Sequence, residues 1–366
     1  MRLDIIAIAI LLGASTVSVD KFADGVNHYR NGSGRTDYAR YTEDQVPEIA
    51  DNIMLHQREN GGWPPNWDPF RILSDEEKTQ LNADKQKTDT SFDNRATYPQ
   101  IEFLAHAFNK TGNTAYRDAA LRGIEFTLQA QTGCGGWPHS YPRTDNYRPL
   151  VTFMDDVTAG VLTTLRNAAA GRDPFSFLGS ELRARIGEAV QKGTNCILRL
   201  QVVLNGEPTV WAGQYDPVNL QQAQARTFEL PSLVSAESVG VVRYLMGFEK
   251  PSPEIVRAIE CAVKWFDRSK IHGLRIDQID AEPVQYEFHT STFDRRAVQD
   301  PGAPPIWARF YEIDTNRPFM ANRDGIKVYT LAEVARERRT GYSWYGYYPK
   351  DLLEKDYPAW HARINK

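Results

Sequence analysis

Apolar residues recur along this chain at helical spacing. Val46, Ile49, Ala50, Ile53 and Met54 occupy the i, i+3, i+4, i+7 and i+8 positions of a 3.6-residue period, and Tyr116, Ala119, Ala120, Gly123, Ile124, Thr127 and Leu128 repeat the pattern. Val157, Gly160, Val161, Thr164 and Leu165 form a third stripe, and Ile255, Ala258, Ile259, Ala262 and Phe266 a fourth. Each predicts an amphipathic helix with one buried face. No series of alternating β-branched strands joined by two-residue turns competes with them, so a β-sandwich, barrel or β-solenoid is not expected.

Between the stripes lie loops rich in glycine, proline and tryptophan: Gly61-Gly62-Trp63-Pro64, Gly135-Gly136-Trp137-Pro138 and Thr209-Val210-Trp211-Ala212. The three tryptophans are separated by equal intervals of 74 residues, an internal repeat long enough for two helices and their connections. Such repeats predict helical hairpins arranged around an axis. Each repeat also carries a polar segment expected at a helix start: Thr90 to Arg95, Thr152 to Asp156, and Ala225-Arg226-Thr227-Phe228-Glu229. Three equivalent loops on one end of a ring would converge on a site. Core packing of the tryptophans and helix capping by the Asp, Asn and Thr residues is the simpler alternative.

After Lys270 the character changes. Pro283, Pro301, Pro304, Pro305 and Pro318, with Arg295, Arg296 and Arg309 among them, predict a long irregular connection or a short β-hairpin in place of a helix. At the other end, the apolar run Ile5 to Leu12 followed by Gly13-Ala14-Ser15-Thr16 reads as an export leader over residues 1–20, too short to span a bilayer. Residues 21–366 then form one domain, secreted or periplasmic.

Composition narrows the partners. Of 366 residues, 41% are hydrophobic and 25% charged, which describes a chain able to bury a substantial core. A formal net charge of −4 supplies no general basic field for nucleic acid, and no membrane partner is expected. Cys134, Cys196 and Cys261 are too few and too far apart for a disulfide framework or a zinc site, and buried free thiols are favoured over a single disulfide.

Candidate chemistry gathers in the polar segments. Asp93-Asn94 and Asp155-Asp156 offer hard oxygen ligands of the kind calcium accepts in irregular loops, although paired acids at helix starts also serve as caps. The seven histidines are scattered without a metal-binding or triad spacing. Carboxylates in matching positions also permit glycoside hydrolysis, with Asp93 or Asp155 and Glu229 as acid and base. Hydrolysis has no need of arginine, yet Arg226, Arg295, Arg296, Arg309 and Arg323 populate the unusual segments. Arginine reads carboxylates bidentately, so arginines beside a calcium site would suit a polyuronate; surface salt bridges are the alternative.

Several of these segments resemble one family. Asn60-Gly61-Gly62-Trp63-Pro64, Thr90 to Asn94, Phe153 to Asp156, Ala225 to Leu233 and Pro304 to Glu312 are similar to hallmarks of the family 10 pectate lyases, over a span from about Val46 to Tyr348. The resemblance implies an all-α dominated (α/α) toroid of helical hairpins with long irregular loops, and calcium-dependent β-elimination of α-1,4-linked polygalacturonate. Carried over motif by motif, it implies Asp93, Asn94 and Asp155 at the calcium ion, Arg226 as the base at C5, and Arg295, Arg309 and Arg323 on substrate carboxylates. Met154, Tyr215 and Val234 depart from the family pattern. A guanidinium base needs its pKa depressed, and neighbouring positive charge would do so. The expected protein is a monomeric pectate lyase releasing 4,5-unsaturated oligogalacturonates. An inverting glycoside hydrolase on the same scaffold and a non-catalytic pectin-binding protein are the alternatives.

Overall fold

The computed structural model describes residues 19–34 and 36–365, so the expected leader lies almost wholly outside the described residues. Eleven α-helices occur among them: α1 Ala23–Ser33, α2 Val46–His56, α3 Asp75–Ala83, α4 Tyr98–Thr111, α5 Thr114–Gln129, α6 Val157–Ala169, α7 Ser180–Leu200, α8 Ser235–Met246, α9 Pro253–Arg268, α10 Arg336–Gly341 and α11 Tyr357–Ile364. Helices α2, α4, α6 and α8 follow one another as neighbours, each also packing on the helix that comes after it in sequence. Helices α5, α7 and α9 stand outside this row. The result is the expected (α/α) toroid of helical hairpins. Burial follows the layers: α4, α6 and α8 are buried on most faces, whereas α9 buries one stripe, Ile255, Ala258, Ile259, Ala262, Trp265 and Phe266. Ser252 caps α9 by accepting the Ile255 amide, and Pro253 opens the first turn, where its missing N–H costs nothing.

The repeat seen in sequence is a repeat of contacts. Trp63, Trp137 and Trp211 are fully buried, and their indole N–H groups donate to the carbonyls of Ile53, Thr127 and Ile197 at 2.7, 2.8 and 2.8 Å. Their backbone amides donate in turn to Thr97, Thr158 and Ser238 hydroxyls. Gln57, Gln131 and Gln201 each span two partners: one carbonyl in their own loop and one on the next outer helix, Ala119, Ala189 and Ala258 respectively. The first glycine of each Gly-Gly-Trp-Pro sequence has a steric reason. Gly61 (φ 94°) and Gly135 (φ 117°) lie so close to the next outer helix that a Cβ would stand 2.4 Å from the carbonyl oxygens of Arg122 and Lys192.

That approach also explains a departure from expectation. Cys134, one residue before Gly135, meets Cys196 on α7, and the two form a disulfide with Cα atoms 5.5 Å apart; Cys261 alone is free. Sequence spacing favoured free thiols because the contact between loop and outer helix is invisible until the hairpins stack.

The contact pattern also moves the third helix start. The Trp211 amide bonds to Ser238, as Trp63 and Trp137 bond to Thr97 and Thr158, so the third equivalent segment is Ser232 to Ser238 and not Ala225 to Glu229. Arg226 sits in the loop before it. The proline-rich stretch contains an antiparallel hairpin of Leu274–Gln285 and Thr290–Gln299, longer than the short one expected, with a register shift between Asp280 and Val284. Beyond it, Phe310–Tyr311 joins Leu233–Val234 and Pro318–Ala321 in a small sheet. Met154, Phe228, Val234, Phe310, Phe319, Met320 and Trp344 form a second apolar cluster beside the toroid core. No helix among the described residues is long and apolar enough to cross a membrane.

Candidate active site

Two helix starts bring the expected aspartates together. Asp93 and Asp155 lie in short helical turns, Asp93–Arg95 and Met154–Asp156, that pack against each other. Both turns pass through the left-handed region, at Asn94 (φ 49°), Arg95 (φ 59°), Asp155 (φ 53°) and Asp156 (φ 59°), a conformation that Asn and Asp tolerate best among non-glycine residues. The turns align by their hydroxyl partners, Thr97 with Thr158, which sets Asn94 opposite Asp155 and Asp93 opposite Met154. Each turn therefore supplies one acid from a different offset.

Asp93 is buried, with its Oδ2 3.0 Å from His139 Nε2 and 3.6 Å from Arg226 Nη2. Burial alone would raise this carboxyl, but His139 and Arg226 hold it well below the usual range. Asp155 is driven the other way by burial and by the Asp93 charge, with Arg309 Nη2 3.8 Å from its Oδ1. Two adjacent carboxyls cannot both ionise cheaply, so the pair keeps a proton.

Arg226 and Arg309 flank this pair on separate segments. Arg226 Nη1 donates to Glu229 Oε1 and Oε2 at 3.1 and 3.2 Å, and its guanidinium lies over the Tyr147 ring. Burial lowers its pKa, but Glu229, Asp93 and Asp155 outweigh burial and raise it. The positive neighbourhood expected around this arginine is thus a negative one in the free protein. Arg309 is held by Glu237, to whose Oε1 both Nε and Nη2 donate, and by the Tyr342 ring at 4.5 Å. Glu237 Oε2 and Asp93 Oδ1 are both buried without a hydrogen-bond partner.

Asn94 adjoins the pair: its Nδ2 donates to Asn66 Oδ1 at 2.7 Å and, at 3.4 Å, to Asp93 Oδ2. The expected arginines other than Arg226 and Arg309 lie further out. Arg323 pairs with Glu337 at 3.0 and 2.8 Å and lies over Phe228 and Phe288, one aromatic ring removed from Tyr342. Arg295 donates to the carbonyls of Arg339 and Tyr342 at 3.2 and 3.1 Å. The three departures from the family pattern, Met154, Tyr215 and Val234, are all buried; Tyr215 donates to the Leu200 carbonyl at 2.7 Å and accepts from the Ala212 amide. Sequence reading overlooked His139, Glu237 and Tyr342. His139 follows the repeated Trp-Pro by one residue, and Glu237 is the one acid in α8. Tyr342 carried no comparable signal.

These side chains by themselves offer calcium an incomplete shell. Among the described residues no group of three or more His, Cys, Asp or Glu side chains is placed to hold a metal. The orphaned Asp93 Oδ1, beside the negative charge that raises the Asp155 pKa, nevertheless marks a place that suits a cation whose shell water and substrate complete.

The model of the pectic acid lyase family matches residues 57–353. The chain belongs to the pectic acid lyase family. It is a polysaccharide lyase. A solved structure of a family 10 polysaccharide lyase from Cellvibrio cellulosa shares 32% sequence identity, covers 94% of this chain and 98% of its own, and superposes with a TM-score of 0.72. An aspartate-to-alanine mutant of a family 10 polysaccharide lyase from the same organism, solved in complex with trigalacturonic acid, shares 30% identity over 94% and 99% of the two chains, with a TM-score of 0.71. No curated protein matches this lyase.

Proposed function

We propose that this lyase is calcium-dependent and cleaves α-1,4-linked polygalacturonate by β-elimination. The observation that carries the reading is the placement of Arg226 against the buried Asp93 and of Arg309 against its neighbour Asp155, in a relative of an enzyme solved with trigalacturonic acid. Arg309, fixed by Glu237 and Tyr342, receives the uronate carboxylate bidentately. Arg226 removes the proton at C5, the resulting electron pair forms the C4=C5 double bond, and the C4–O4 bond breaks to release the new reducing end. Asp93 and Asp155 would hold calcium, which supplies charge neutralisation for the carboxylate as C5 becomes carbanionic. When both aspartates are so committed, Glu229 is the one carboxylate left to keep Arg226 protonated, and alkaline pH favours the neutral guanidine the step needs. Arg323 could take a carboxylate one subsite away by exchanging Glu337. Arg295 serves Tyr342 more directly than it serves substrate. Glu229, the partner that inverting hydrolysis would need, is engaged by Arg226 and Tyr342, which favours elimination over hydrolysis.

Export over the leader at residues 1–20, with 21–366 as one domain, is part of the same reading. The Cys134–Cys196 disulfide supports it, because such bonds persist in oxidising compartments. We expect a monomer.

The test is direct. Polygalacturonate incubated with the lyase should develop ultraviolet absorbance from the conjugated C4=C5 bond, chelator should abolish it, and added calcium should restore it while the helical signal stays constant. Asp155→Ala should raise the calcium needed for half-maximal activity or abolish turnover. Full activity in excess chelator would remove calcium from the mechanism.

A further inference from the structure

Arg226 and Arg309 belong to segments far apart in sequence, yet one side chain touches the support of both. Tyr342, at the end of α10, donates its hydroxyl to Glu229 Oε1 at 2.9 Å, the same oxygen that accepts from Arg226 Nη1 at 3.1 Å. Glu229 Oε2 also accepts the Arg226 backbone amide at 3.2 Å, so this carboxylate fixes both ends of the residue. The other part of Tyr342, its ring, lies 4.5 Å from the Arg309 guanidinium carbon. Its own position is set by aromatic packing against Phe228, Phe310 and Trp344, with ring centroids 5.1, 6.0 and 4.8 Å away, and by the hydrogen bond from Arg295 to its carbonyl.

We propose that Tyr342 is a positioning residue for the elimination, registering Arg226 against Arg309 through a hydroxyl that acts on Glu229 and a ring that carries Arg309. The proposal rests on the reading of these two arginines as the groups that meet substrate. Its physical basis is that proton removal and carboxylate recognition must reach the same uronate at once, so their spacing has to be held before substrate arrives. A flexible guanidinium on each side would satisfy the charges without fixing the distance between them. Tyr342 links the two through one rigid ring. Arg295 gains a role from the same geometry, as the clamp on the Tyr342 backbone.

The two functions of the side chain separate by substitution. Tyr342→Phe keeps the ring under Arg309 and loses the bond to Glu229; kcat on polygalacturonate should fall about tenfold or more with KM changed less than about twofold. Tyr342→Leu removes the ring as well and should add a rise in KM. Because Tyr342 acts on Arg226 through Glu229, combining Tyr342→Phe with Glu229→Gln should cost little more than the worse single change. Near-normal kcat in Tyr342→Phe, or losses that multiply in the double variant, would overturn the positioning role. Absence of the ultraviolet chromophore with unmodified lyase is a different outcome, overturning the elimination reading and the proposal with it.

Discussion

Single charged groups decide the chemistry at the residue scale. Arg226 is raised in the free protein by carboxylates, so its competence as a base depends on what those carboxylates hold. Arg226→Lys keeps a charge and loses the planar fork, and kcat should fall at least about a hundredfold in steady-state assays of chromophore release. A raised KM with near-normal kcat would move Arg226 to a binding role. Arg309 is matched to a carboxylate by geometry. Arg309→Ala should weaken action on polygalacturonate strongly and on highly methyl-esterified pectin much less, because an ester has no charge to pair. Equal losses on both substrates would show that Arg309 is needed for folding, an outcome its buried pairing with Glu237 makes measurable by thermal denaturation.

Elements are tied together by contacts that repeat with the hairpins, and one contact that does not repeat makes the fold sensitive to acid. His56 closes α2, stacks on Trp67 with ring centroids 3.8 Å apart, and places Nδ1 2.8 Å from the Asn52 carbonyl. Burial pushes its imidazole down to about 4 from an ordinary value of 6.5. The unfolded chain therefore binds a proton at this site before the folded one does, and stability present above pH 6.5 declines as pH falls toward 4, by about 3 kcal/mol in all. Melting temperature measured across that window should drop in the natural protein and drop less in His56→Phe. Parallel curves would place the acid sensitivity elsewhere, the Asp93–His139 pair being the next group to examine.

On the scale of the whole molecule, the toroid joins successive repeats and the disulfide adds a covalent tie. Cys134 and Cys196 close a loop spanning 62 residues, from the second Gly-Gly-Trp loop to α7. Reduction, or Cys196→Ser, should lower stability by roughly 2–5 kcal/mol, read as a shift in denaturation midpoint. His139 and Asp155 of the site lie within that loop whereas Asp93, Arg226 and Arg309 lie outside it, so a fall in kcat should accompany the loss of stability. An unchanged midpoint would mean that the Trp137 and Gln131 bonds already hold this loop.

What the sequence determined by itself was what short-range periodicity encodes. The helical stripes at Ile255 to Phe266 and Tyr116 to Leu128 needed only 3.6-residue spacing, and the equal tryptophan interval announced stacked hairpins because each repeat reuses the same buried indole. The inventory of aspartates and arginines was also legible, since charged residues in Gly- and Pro-rich loops stand out from helix surfaces. Offsets and partners were not. Asp93 and Asp155 meet from non-equivalent places in their turns, the third helix start falls at Ser232 to Ser238 after the arginine that sequence had placed within it, and Cys134 finds Cys196. Glu237 and Tyr342 gain their importance from Arg309, which reaches them from a segment about seventy residues after the first and thirty before the second. Such pairings depend on how the hairpins rotate and pack around the axis, a long-range geometry that local pattern does not carry.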